Sequence, residues 1–296
     1  MEAQGLLLER IILTVFPLVA IVTVGFIYAR RYNPDMNVAN QVNIDVFIPA
    51  LIFTVLSAES FDLIQYQSLA IGATVIVLGS GLLLYPFCKI LKVKPKTFIP
   101  PMMFSNSGNL GIPLIVLAFG ENALQAAVVL FLVENLLHFT VGIYILDHKT
   151  RLLNLLRMPM IVATILGLVW SGFDIPLPQA VRTFIDMLGQ IAIPLMLFAL
   201  GVRMTSVDFS HWRIGSYSAV LCPLSGVLLA LACQQFLQLD HTQFAYLLIF
   251  GALPPAVLNY MIAERYNQEP HQVASIVLLG NMGSLLFIPL ALAFVW

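Results

Sequence analysis

Apolar runs long enough to cross a bilayer follow one another along almost the whole of this 296-residue chain. A spanning helix takes about 20 predominantly apolar residues. Ten runs of that kind lie between charged or turn-forming breaks, at 6–29, 38–58, 66–91, 98–119, 122–146, 158–173, 178–203, 212–237, 242–263 and 271–295. Only 10% of the residues are charged, where soluble domains average about 25%. The chain is therefore read as an all-α integral membrane protein of ten transmembrane helices, forming one domain over 1–296. The first run, Leu6 to Ala29, has no basic start and ends in Arg30-Arg31 rather than a cleavage site, so it is a membrane helix and not a signal peptide. A formal net charge of −1 gives nucleic acid no purchase. Cys88, Cys222 and Cys233 are scattered without metal-ligand spacing, which excludes a disulfide framework or a zinc site.

Lysine and arginine set the orientation. Arg30, Arg31, Lys89, Lys92, Lys94, Lys96, Lys149, Arg151, Arg157, Arg203, Arg213 and Arg265 fall in the turns after helices one, three, five, seven and nine, and only Arg10 and Arg182 fall on the other side. The basic side should be cytoplasmic, with both termini extracytoplasmic.

The two halves of the chain resemble each other. Phe16-Pro17 and Met158-Pro159 open helices one and six, and Ile48-Pro49 and Ile193-Pro194 mark helices two and seven. Gly79-Ser80-Gly81 answers Leu224-Ser225-Gly226, Phe104 answers Phe250, and Asn135 answers Asn281, all at nearly constant spacing. Five helices per copy is an odd number, so the second copy enters the membrane inverted. Repeat one is 1–148 and repeat two 149–296. Inverted repeats are a signature of secondary transporters, whose sites lie at the repeat interface near the midplane.

Each half carries a stretch that a straight helix cannot tolerate. In helix four, Phe104-Ser105-Asn106-Ser107-Gly108-Asn109-Leu110-Gly111-Ile112-Pro113 combines two glycines, a proline and four polar side chains that compete for backbone hydrogen bonds. Its counterpart in helix nine, Phe250 to Tyr260, contains Pro254-Pro255 and Asn259. Unpaired backbone costs several kcal/mol per group in hydrocarbon, so such breaks survive only where protein or a water-filled cavity covers them. Two broken helices crossing at mid-membrane would aim half-helix N-termini at one place, which suits an anion. The expected substrate-binding residues are Asn106, Ser107, Gly108, Asn109, Gly111, Pro113, Pro254, Pro255 and Asn259. No Lys or Arg is expected at the crossing, so dipoles and amides would recognise the anion.

Glu134 sits near the middle of helix five, beside Asn135 and one turn before His138. An acidic residue at mid-span costs about 2.5–3.5 kcal/mol and is functional by default. Glu134, Asn135, His138 and Asn281 are the candidates for proton or cation coupling. Glu134 and His138 could make half a metal site, but no second pair is evident, so no metal is assigned. Glu264-Arg265 and Glu269, after helix nine, read as a solvated cytoplasmic turn that could also serve as a gate.

The motif Asn106-x-x-x-x-Gly111-Ile112-Pro113-Leu114, with Ala252-Leu253-Pro254-Pro255 and Ala263-Glu264-Arg265-Tyr266-Asn267, resembles the auxin efflux carrier family over essentially the whole chain. The resemblance implies crossing broken helices four and nine, a homodimer, a scaffold of helices one, two, six and seven, and a transport domain of helices three to five and eight to ten moving as an elevator. It identifies Asn106, Pro113 and Pro254 as crossover residues. Glu134 stands where plant members carry Gln, and the short connection between helices five and six resembles bacterial members, which places the chain in an inner membrane and favours malate or malonate over auxin. The reading is a carrier of a small organic anion needing no cofactor beyond a coupled proton or sodium ion, with a sodium symporter of the bile acid type as the alternative. The sequence has no HExxH, GxGD or nucleophile-elbow motif, which argues against an intramembrane enzyme. A non-transporting sensor is disfavoured by the lack of an attached signalling domain.

Overall fold

The computed structural model describes residues 2–58, 61–148, 157–173, 176–205 and 210–296. Lys149 and Arg151, and the junction at which the second repeat was expected to begin, lie outside them. Among the described residues the chain is all helix, apart from one isolated bridge. In order the helices are α1 (Glu2–Tyr32), α2 (Asn37–Leu56), α3 (Gln67–Leu91), α4a (Pro95–Met103), α4b (Ser107–Phe119), α5 (Glu121–Leu146), α6 (Pro159–Gly172), α7 (Gln179–Arg203), α8 (Trp212–Leu237), α9a (His241–Gly251), α9b (Leu258–Arg265) and α10 (Pro270–Val295). Seven of them are long and apolar enough to cross a membrane, and α4b and α6 are shorter apolar helices.

Local chemistry explains where these helices start and stop. Pro95 opens α4a, a position where its missing N–H costs nothing, and Phe104 ends it in an extended conformation. Asp240 caps α9a, its carboxylate accepting from the amides of Thr242 and Gln243 at 2.9 Å each. Pro113 lies in the first turn after the π-helical start of α4b.

The helices pack as two groups. Helix α1 packs along α7, and α2 against α6 and α7. In the other group α8 packs on α10, α3 and α9a, while α3 also packs on α4a and α5. Close approach is allowed by small residues: a Cβ on Gly226 would sit 2.1 Å from the Gly251 carbonyl oxygen, and one on Gly251 would sit 2.5 Å from that of Gly226. On the other side of α8, between it and α3, the buried Ser225 hydroxyl meets that of its sequence counterpart Ser80 at 3.4 Å.

Glu269, expected in a solvated turn, is instead tied down. Lys94 lies 2.8 Å from its carboxylate, Thr97 donates its hydroxyl to it, and Gln268 donates to Thr97 at 3.0 Å. Thr97 is fully buried, so the cluster pins the start of α4a to the start of α10. Burial alone would push the Glu269 carboxyl up, but the bonds from Lys94 and Thr97 and the nearby charges of Lys94 and His211 hold it below the usual carboxylate range. A carboxyl depressed in the folded protein adds stability above its unfolded value, which is lost as the pH falls through the folded value. The thermal midpoint of the wild type should therefore fall toward that of Glu269→Gln as the pH is lowered below about 4.5, the ordinary value. Melting curves of both proteins across pH check this, and parallel curves would remove the cluster from the stability of the fold.

Candidate functional site

The breaks in α4 and α9 meet. Ser105 and Pro255 form an antiparallel bridge, in which the Asn106 amide donates to the Pro254 carbonyl at 2.7 Å and the Ala256 amide to the Phe104 carbonyl at 2.9 Å. Each segment thus supplies the backbone partners that the other loses by leaving its helix, which is how two breaks are tolerated at once. Side chains lock the crossing further. Asn106 Nδ2 donates to Asn281 Oδ1 at 3.0 Å, and Asn281 Nδ2 donates to the carbonyls of Pro255 and Val277 at 3.0 and 2.7 Å. Asn259 Nδ2 donates to Phe104 O at 2.9 Å. Gly280 lets α10 lie against the break, since a Cβ there would sit 2.5 Å from Pro255 Cδ.

The expected site residues therefore separate into two sets. Asn106, Ser107, Gly108, Asn109, Glu134, Asn135 and His138 line one cavity of about 140 Å3. Gly111, Pro113, Pro254, Pro255, Asn259 and Asn281 do not line it; they build and brace the crossing. Asn135 and its counterpart Asn281 share one feature, a bond from Nδ2 to the carbonyl four residues back, at 2.9 Å in Asn135. Only Asn281 also reaches across to α4 and α9.

Three π-helical turns converge on this cavity: Asn43–Phe47, Ser107–Gly111 and His138–Gly142. Such turns are rare and frequent at functional sites. Here they let polar residues depart from helical register and face one place. The first-turn amides of α4b have no intrahelical acceptor, and they lie among the cavity-lining residues. The buried Glu134 carboxylate sits at this helix N-terminus, accepting from the Ser107 hydroxyl and backbone. A carboxylate at a helix N-terminus is favoured by the macrodipole as well as by the amides. The His138 ring stacks on Phe104 with centroids 4.1 Å apart and planes inclined by 3°, so it acts as a wall that fixes the start of the break.

Sequence reasoning missed two contributors. It assigned Arg203 only to the basic turn after helix seven, whereas this residue lines the cavity from the last turn of α7. It also passed over Asn40 and Asn43 of α2, which line the opposite wall. Two asparagines within four residues of a spanning helix were the available signal. A larger cavity of about 660 Å3 lies between α1, α7 and α10. Its lining is mostly aliphatic, with Thr23, Arg30, Thr205, Asn281 and Ser284 as its polar members, of which Asn281 and Ser284 are engaged in bonds within the protein. The smaller cavity has the greater share of polar lining.

A helical membrane protein with two interrupted helices crossing beside a small polar cavity has the architecture of a membrane transporter. The family described as "Membrane transport protein" matches residues 10–153 and 147–292, and the chain belongs to it, the family of the auxin efflux carriers. Among its relatives, a protein of Methanocaldococcus jannaschii described as an uncharacterized transporter is 23% identical, over 95% of this chain and 96% of that one. A Rhizobium meliloti protein named "Putative malonate transporter" is 25% identical over 90% of each. Auxin efflux carrier component 8 of Arabidopsis thaliana is 26% identical over 48% of this chain and 40% of its own. The membrane and a transported small solute are thus its partners, and its role is transport.

Proposed function

We propose that the protein is a secondary transporter of a small organic anion, a carboxylate such as malonate or malate, with Glu134 coupling transport to a proton. The observation that carries this reading is the Glu134 carboxylate bound at the N-terminus of α4b, at the wall of the polar cavity. That position is an anion site already occupied by the protein's own carboxyl group. A substrate carboxylate takes the same donors once Glu134 is neutral, so proton and anion bind together and leave together. The name of the Rhizobium meliloti relative and the small volume of the cavity both favour a short carboxylate over an indole acid.

In the same reading the ten spans form two inverted repeats. The group α1, α2, α6 and α7 is the scaffold of a homodimer, and α3–α5 with α8–α10 is the moving domain. The cavity walls come from both groups, as alternating access by an elevator motion requires. The membrane is a bacterial inner membrane, with the basic ends of the helices in the cytoplasm.

Flux into proteoliposomes tests this. Malonate, malate and indole-3-acetate are offered with and without imposed pH and sodium gradients. Saturable malonate or malate uptake driven by a pH gradient is the expected result. Uptake driven by sodium alone would replace the proton with sodium, and folded protein that moves no carboxylate would overturn the anion assignment.

A further inference from the structure

The cavity carries a charge that the crossing does not use. Arg203, on the last turn of α7, lines it from the side opposite α4b's own group of helices, with Asn43 of α2 also in the wall. Among the described residues no carboxylate lies within ion-pair distance of the Arg203 guanidinium, whereas the two ion pairs present elsewhere involve Lys94 and Arg182. The Tyr260 phenol interacts with it electrostatically and is itself bonded to Glu264 at 3.3 Å. Asn43 is buried, and its Oδ1 has no partner. Ser105 Oγ, at the crossing, is likewise without one. Buried polar groups are nearly always paired, and Arg203, half-buried at the end of α7, brings a cation without an ion pair to the same cavity. Unsatisfied groups therefore stand at both poles of one cavity.

A single carboxylate at the α4b pole leaves the Arg203 pole unanswered. We propose that Arg203 is the specificity-determining residue for a second carboxylate, so that the preferred substrate is a short dicarboxylate bridging α4b and α7. The planar guanidinium fork matches a carboxylate with two parallel bonds, and Asn43 can turn its amide to donate beside it. The cavity is small, about 140 Å3, which favours a short spacer between the two carboxylates. The inference rests on the anion-transport reading and adds which anions are chosen and by what.

The test compares malonate with monomethyl malonate, which keeps the shape of the ligand and loses one charge. Equilibrium binding is measured for wild type, Arg203→Gln and Arg203→Lys, each shown to be folded by its thermal transition. A charged hydrogen-bonded pair predicts a wild-type preference for malonate of about ten- to a hundredfold. In Arg203→Gln that preference should fall to near unity with monomethyl malonate binding unchanged. Arg203→Lys, with a point charge but no fork, should lie between them. Equal weakening of both ligands in Arg203→Gln, or an intact preference in it, would overturn the assignment of Arg203 while leaving anion transport standing. Should Arg203→Gln not fold, a wild-type preference that is undiminished in Arg203→Lys overturns it instead. Wild type that binds neither ligand nor any other carboxylate would overturn the anion reading, and the assignment of Arg203 with it.

Discussion

Replacing Glu134 by Gln should abolish the response of uptake to a pH gradient, while exchange of substrate across the membrane without a gradient persists. Gln keeps the shape and the acceptor oxygen, so the bond from the Ser107 hydroxyl can persist. What it loses is the negative charge at the start of α4b and the ability to carry a proton. The N-terminal amides are then permanently available to a substrate carboxylate, so malonate affinity should hold or rise and should no longer depend on pH. The contrast between a lost gradient response and retained exchange separates this from misfolding, which would abolish both. A variant whose gradient response matched the wild type would make Glu134 structural and leave the carrier without its coupling group.

Much of this arrangement was legible in the sequence because the chemistry was local. Apolar length marked the helices, and most of the structural ends fall within a few residues of the expected ones. Clustered Gly, Pro, Asn and Ser marked the breaks at 104–113 and 250–260, and the resemblance supplied their crossing. What was not legible depends on register across helices. The repeat aimed Asn281 at the crossover, but nothing in the sequence pairs it with Asn106, 175 residues away, and the two were offered as a substrate ligand and a coupling residue rather than as a brace. Arg203 looked like one more basic residue at a helix end, because a sequence cannot say which face of the last turn looks inward. The π turns in α2 and α5 carry no proline or glycine at their start, so the shift in register that aims Asn43 and His138 into the cavity left no local mark. The pairing of broken backbone with broken backbone was equally hidden. The amides of Asn106 and Ala256 are bonded to the carbonyls of Pro254 and Phe104 and so are not free for a substrate.

That redistribution changes what the crossover asparagines are expected to do. Asn106 donates one side-chain bond, to Asn281, whereas Asn281 makes three, to Asn106, Pro255 and Val277. Truncating either leaves a buried partner unpaired, at about 1–3 kcal/mol for each group stranded, although bonds between membrane helices average only about 0.6 kcal/mol. Asn281→Ala strands both Asn106 Nδ2 and the Pro255 carbonyl and should lower the thermal midpoint more than Asn106→Ala, which strands Asn281 Oδ1 alone. The decisive comparison is the double variant. If the two asparagines act as one brace, removing both costs no more than removing Asn281, and the coupling between them is about 1–2 kcal/mol. Transport should fail in all three variants, because the start of α4b is positioned through Asn106, whose carbonyl accepts from the amides of Leu110 and Gly111 at 3.2 and 3.0 Å. Additive losses in the double variant would mean that Asn106 contributes independently of Asn281. Its place in the cavity wall would then make it a direct ligand of the substrate, and the brace would rest on the backbone pairing of the two breaks alone.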